Sequence, residues 1–178
     1  EGGLDISKLK TIVAAKTGWH RGVVGIVASK LSEMYMRPAI VLARDEHESV
    51  WHGSGRSVGS FHITDALREC SHLLERFGGH RGAAGLALED SRLTEFRECF
   101  DSAARKTLTE DDLKKTITID TEADLTELTM SLAADVKKLE PFGFGNPKPN
   151  LAVRNIRIGR KPRVVGSNGQ HLKLSLVT

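Results

Sequence analysis

The sequence predicts an α/β fold, a central mixed sheet flanked by helices, followed by a small, incomplete β-rich segment. Three observations carry that reading. Between Leu9 and Arg44 an apolar run of strand length, an amphipathic stretch and a second apolar run follow one another, the strand–helix–strand grammar of an α/β unit. "PAIVLAR" is apolar throughout, the pattern of a strand covered on both faces. After residue 115 the character changes to short alternating runs broken by Pro and Gly, which read as a small antiparallel sheet.

Each element has its own signal. "LKTIVAA" reads as a short buried strand and "GWHRG" as a glycine-bounded loop. In "VVGIVASKLSEMYM" Val23, Val27, Leu31 and Met34 recur at helical spacing, with Val24 and Ala28 beside them, so this face is expected inward. Pro38 ends that helix, and after the "PAIVLAR" strand "DEHES" makes a polar turn. "VWHGSGRSVGS" reads as a strand running into a glycine-rich loop. "HITDALRECSHLLERF" reads as a helix with Ile63, Ala66, Leu67, Cys70 and Leu74 inward, closed by Gly78 as a left-handed C-cap. "AAGLALE" is a further strand, and "SRLTEFRECFDSAARKTL" a third helix with Ser91 as its N-cap. The first domain is set at 1–115 and the second at 116–178. In the second, "TITID" is expected as a strand, "LTELTMSLAADVKKL" as a helix, "EPFGFGNPKPN" as a rigid turn, and "LAVRNIRIG" and "HLKLSLV" as strands. No stop signal follows the last of these, so the chain is expected to be cut inside a domain.

Composition bounds the function. No apolar run reaches the roughly 20 residues that span a bilayer, and the start lacks a signal peptide's apolar region, so a soluble, cytoplasmic chain without membrane contact is expected. Cys70 and Cys99 form no metal-binding pattern; they read as small apolar residues on helices, and two thiols suit a reducing compartment. The net charge is only +3, yet every Asp and Glu lies at or before Glu140. After Pro141 stand only Lys148, Arg154, Arg157, Arg160, Lys161, Arg163 and Lys173, which favours a polyanion partner.

No complete catalytic apparatus is legible. "DEHE" at Asp45 to Glu48 sits where a turn belongs and its side chains diverge, so it reads as a solvated turn and not a metal cluster. HExxH, GxSxG, a P-loop and a DHH triplet are all missing from the sequence. What remains is three loops of like composition: "GWHRG", "WHGSGRSVGSF" and "FGGHRGAAG". A glycine cluster is commonly turn chemistry, and a single Trp or His commonly belongs to the core. Three such loops at strand ends of an α/β pattern point instead to a ligand. The candidate binding residues are Trp19, His20 and Arg21; Trp51, Gly53, Ser54, Gly55, Arg56 and Ser57; and Gly78, Gly79, His80 and Arg81. Glycine lets backbone amides approach a phosphate, Arg56 offers a bidentate fork, and Trp19 and Trp51 offer faces for unpaired bases.

These motifs resemble a known family. "GWHRGVVGIVASKL", "RPAIVLA", "GSGRSVGSFHITDAL", "FGGHRGAAGL" and "LEPFGFGNPKP" occur in the order found in the RecJ family of single-strand-specific DNA exonucleases, within the DHH phosphoesterase superfamily. GGH followed by AAG marks the superfamily; "FGFGNP" followed by "VVGSNGQHLKL" resembles the start of the RecJ OB-fold domain. The resemblance implies a DHH-associated domain over 1–115 and part of an OB-fold over 116–178. It implies 5′-to-3′ hydrolysis of single-stranded DNA, with Mn²⁺ or Mg²⁺ held by a DHH catalytic domain of the same polypeptide that this sequence does not match, and no cofactor in this chain. By the same resemblance His20, Arg56 and His80 match substrate-contacting positions, Arg81 a variable one, and Phe144 stands where the family often has proline. Two alternatives stay open: a DHH phosphoesterase acting on short RNA or a cyclic dinucleotide, and a nucleic-acid-binding module with no catalytic partner.

Overall fold

The structure, a computed structural model, describes residues 9–143 and 145–177; Phe144 lies outside them. The chain divides into two compact units, Glu1–Lys115 and Thr116–Thr178.

Unit 1 is built on a five-stranded mixed sheet. Strands β1 (Ile12–Thr17) and β2 (Ala39–Arg44) are parallel, joined through helix α1 (Val24–Tyr35). Strands β3 (Val50–Arg56), β4 (Arg76–His80) and β5 (Ala83–Glu89) are antiparallel additions, in the order β1-β2-β3-β5-β4. β2 is buried from Ala39 to Ala43, as its unbroken apolar run predicts.

The two faces of the sheet are covered unequally, and that asymmetry positions the site. On one face lie α2 (Ile63–Glu69) and α3 (Leu93–Thr107), closing the main core of Ile40, Leu42, Ile63, Leu67, Leu86, Leu88, Phe96 and Phe100. Among the described residues of unit 1, the other face is covered by α1, which packs over β2 and β3 through Val24, Ala28, Val41 and Ala43, while Gly78 and His80 of β4 and Gly85 of β5 stay exposed.

Several expectations change here. In α1 the buried residues are Val24, Ala28 and Ser32, while Val23, Val27 and Met34 are exposed. Small side chains let the helix sit close on the sheet, and Ser32 satisfies its hydroxyl on the Ser29 carbonyl at 2.9 Å. The predicted second helix stops at Glu69 and passes through a short 3₁₀ turn, and "RFGGH" is strand β4. Gly78 is therefore mid-strand, not a C-cap; the positive φ falls on Gly79, at 150°, where a Cβ would come 2.3 Å from the Ala83 carbonyl oxygen. Ser91 lies inside a 3₁₀ turn before α3, whose cap position is Arg92. Cys70 and Cys99 are not separate apolar residues but a disulfide joining the end of α2 to α3, with Cα atoms 6.0 Å apart.

Unit 2 contains α4 (Met130–Lys137), capped by Thr129 accepting from the Leu132 amide at 3.2 Å. Its strands pair two by two: β6 (Thr121–Glu122) with β7 (Leu151–Ala152), β8 (Arg157–Ile158) with β11 (Leu176–Val177), and β9 (Arg163–Val165) with β10 (His171–Lys173). "TITID" is not itself a strand; pairing begins one residue later, and β6 and β7 are parallel where an antiparallel sheet was expected. "LAVRNIRIG" is split because Asn155 takes a left-handed conformation, φ 55°. Among the described residues of this unit none is fully buried.

Candidate nucleic-acid interface

Strand alternation builds the uncovered face. Trp51, Gly53 and Gly55 of β3 point into the main core, so His52, Ser54 and Arg56 point the other way. Phe77 of β4 packs on the core, which leaves Arg76, Gly78 and His80 outward. The register then aligns three rungs. Arg56 and His80 flank Ala83, Ser54 and Gly78 flank Gly85, and His52 and Arg76 flank Ala87. The result is a trough with a floor of Ala and Gly and walls of His, Ser and Arg. A Cβ on Gly78 would meet nothing within 4 Å, and on Gly85 only the Gly53 carbonyl oxygen at 3.8 Å, so the floor is open to an incoming backbone. A groove of about 370 Å³ lies over it, lined by His52, Arg76, Gly78 and Gly85.

The charged groups are poised rather than neutralised. Arg56 Nη1 donates to Ser54 Oγ (2.9 Å) and to the Gly55 carbonyl (2.8 Å), which fixes the guanidinium along the strand. The first turn of α1 lies against it: a Cβ on Gly25 would sit 3.2 Å from Arg56 Nη2 and 3.3 Å from Ser54 Oγ. No ion pair to Arg56 or Arg76 is present among the described residues. The two "HRG" motifs adopt one local geometry: the Gly22 amide donates to His20 Nδ1 at 3.0 Å and the Gly82 amide to His80 Nδ1 at 3.2 Å. Because Nδ1 accepts in each ring, a neutral imidazole there carries its proton on Nε2, so both exposed rings offer an Nε2–H donor.

The other candidates divide into supports and residues held elsewhere. Gly53 and Gly55 are glycine because of the core: a Cβ would lie 2.4 Å from Leu42 Cδ2 in one case and 2.6 Å from Ile63 Cδ1 in the other. Both sit within β3, not in a loop. Ser57 donates its hydroxyl to the Phe61 carbonyl (2.6 Å) and its amide to the Gly82 carbonyl (3.0 Å), pinning the β4–β5 turn. Arg81 fixes the same turn by donating to the Ser60 carbonyl at 3.2 Å. Arg21 is ion-paired to Glu48, with Asp45 at 4.0 Å. Trp19 is half-buried against the α1 cluster. Trp51 is 5% exposed, its indole donates to Asp90 at 2.7 Å, and Arg44 lies 4.5 Å above its ring, so this ring has no face to offer a base. His52, Arg76 and Gly85 are not among the sequence candidates. The signal for them is nonetheless present: His52, Ser54 and Arg56, and likewise Arg76, Gly78 and His80, alternate at the period of a strand.

In unit 2 Arg163 and Lys173 are cross-strand partners, and Arg160 and Lys161 are also exposed. Arg154 is neutralised by Glu122 at 2.6 Å. Like charges opposed across two strands repel one another, and a polyanion relieves that repulsion. Among the described residues no three His, Cys, Asp or Glu side chains are grouped to hold a metal ion. No described helix is long and apolar enough to cross a membrane.

The mixed sheet and its helices place this chain in a known class of domain. Residues 8–106 match the DHHA1 domain and residues 119–178 the RecJ OB domain, and the chain belongs to the DHHA1 family. It is similar to the single-stranded-DNA-specific exonuclease RecJ of Bacillus subtilis, 40% identical over 93% of this chain and 21% of that protein. It is also similar to RecJ of Haemophilus influenzae, 32% identical over 89% of this chain and 28% of that protein. The crystal structure of RecJ in complex with Mg²⁺ from Thermus thermophilus aligns with a TM-score of 0.79 at 29% identity, covering 94% of this chain and 25% of that one. The chain thus resembles the DHHA1 and OB region of RecJ, and spans 21% and 28% of the length of the two curated relatives named.

Proposed function

We propose that this chain is the substrate-gripping part of a RecJ-like exonuclease that hydrolyses single-stranded DNA from its 5′ end to mononucleotides. In this reading the divalent metals, Mn²⁺ or Mg²⁺, are held by a separate DHH domain of the same polypeptide, and the protein works in the cytoplasm in DNA repair and recombination. One observation carries it: Arg56, without an ion-pair partner among the described residues, stands with His80 on either side of a floor that has no side chain beyond a methyl. A guanidinium and an Nε2–H donor across a bare floor suit a phosphodiester that must come close to the sheet. The His20 loop leads directly into α1, whose first turn touches Arg56, and this supports His20 as a third contact. A phosphoesterase acting on short RNA or a cyclic dinucleotide would leave the acid-free stretch after Pro141 without a use; a longer strand uses it.

Fluorescence anisotropy with 5′-phosphorylated, 3′-labelled oligothymidylate tests the reading. Weak, sequence-indifferent binding is expected, falling with salt by a log–log slope of roughly −0.7 per phosphate neutralised. Arg56→Ala should weaken binding by about fivefold to thirtyfold, the range set by one charge-assisted contact. With Mn²⁺ or Mg²⁺ added, the chain alone should release no mononucleotides. Equal affinity of Arg56→Ala and parent, or hydrolysis proportional to chain concentration, contradicts the proposal.

A further inference from the structure

The trough has two ends, and only the Arg56–His80 end is used by the function proposed above. We propose that His52 and Arg76 form a second anion seat at the opposite end of the same trough, taking another phosphate of the strand that Arg56 grips. The inference rests on that reading of the face and extends it along β5.

Register places the two seats at equivalent positions along β5, although Ala87 is buried where Ala83 is partly exposed, and Glu48 and Glu75 line a pocket with His52 and Arg76. Arg56 and His80 flank Ala83; four residues along β5, His52 and Arg76 flank Ala87. At the rise of a strand the seats lie about 13 Å apart, joined by the open Gly78–Gly85 rung. Each end therefore pairs one arginine with one imidazole across a small residue. Arg76 Nη2 lies 3.5 Å from His52 Nδ1, which as the acceptor leaves the ring proton on Nε2. Both residues line the groove over the floor.

Charges of both signs surround His52. The charged groups that act on His52 are Arg21 from the loop before α1, Arg76 from β4, and Glu75 beside it; Arg21 is itself paired with Glu48 on the β2–β3 turn. Desolvation first, then Arg21 and Arg76, hold the imidazole below its ordinary pKa, with Glu75 opposing. A phosphate would reverse that balance, because a nearby negative charge favours the protonated ring. Binding at this end should therefore tighten as pH falls.

The test uses the whole chain, 3′-labelled oligothymidylate long enough to cover both seats, and the variants Arg76→Ala, His52→Gln and Arg56→Ala. Arg76 is exposed on an edge strand, so its variant should keep the parent's melting temperature. Arg76→Ala is expected to weaken binding about fivefold to thirtyfold and to reduce the salt slope by roughly 0.7. His52→Gln is expected to bind less tightly and to lose part of the tightening that the parent shows as pH falls. If Arg76→Ala and His52→Gln match the parent in affinity, slope and pH profile while Arg56→Ala is weakened, the second seat is overturned and the proposed function stands. If Arg56→Ala also matches the parent, the reading of the face fails and the second seat with it.

Discussion

At the scale of single residues, the glycines of "GSGR" and "RFGGH" have opposite reasons to be glycine. Gly55 faces the core, where a Cβ would overlap Ile63 Cδ1 at 2.6 Å and crowd Ile40 Cγ1 at 3.1 Å. Gly78 faces solvent with room for a side chain. Gly55→Val should destabilise unit 1 by about 1–3 kcal/mol through overpacking, read as a lower melting temperature. Gly78→Ala should leave the melting temperature nearly unchanged and weaken oligothymidylate binding, because the added methyl raises the floor. The reverse pattern would show that Gly78 supports packing and Gly55 the ligand. Composition alone could not separate the two roles, since the sequence shows glycine and arginine together in both stretches. Only the assignment of each stretch to a strand, and so of each residue to a face, does so. For the same reason Trp51 looked available in the sequence and is instead held in the core by Asp90.

At the scale of elements, the longer ones were legible in position: β1, β2, β5, α1 and α3 lie within the expected stretches, although α1 buries Val24, Ala28 and Ser32 and leaves Val23, Val27 and Met34 exposed. The β4 strand was not, because "LLERF" continues the helical spacing of α2 and no local residue marks the break after Glu69. What ends the helix there is tertiary: "RFGGH" pairs with β5 through five residues of register, and the Glu75 amide donates to the Ala87 carbonyl at 2.9 Å. The β3–α2 loop behind Arg56 is held in a comparable way by Asp112, which accepts from Ser60 Oγ (2.9 Å) and from Thr109 Oγ1 (2.7 Å) and the Thr109 amide (3.0 Å). Hydrogen bonds from Thr109 and then Ser60 lower its pKa from 3.8 to about 2. A carboxyl lowered in the folded state stabilises it above the ordinary carboxylate pKa, and that contribution disappears as pH falls through about 2. Asp112→Asn should therefore melt below the parent at pH 5, and the difference should close between pH 4 and 2. A difference that stays constant over that range would show that the charge of Asp112 is not what ties the loop.

At the scale of the whole molecule, the two units offer anions different things: unit 1 a shaped trough with fixed donors, unit 2 a basic surface without a buried residue among those described. The electrostatic share of this was readable from the acid-free stretch after Pro141, since charge needs no fold to be counted. The trough was not, because it depends on a three-strand register that brings Arg56 and His80, distant in sequence, to either side of Ala83. The central claim is that single-stranded DNA lies on the uncovered face of unit 1. The direct measurement is a titration of the ¹⁵N-labelled chain with oligothymidylate, following backbone amide shifts. Changes are expected at Ser54, Arg56, Gly78, His80, Gly82 and Gly85, with residues of α3 such as Phe96 and Phe100 unmoved. Changes confined to 154–173, or to the α2–α3 side of the sheet, would contradict it.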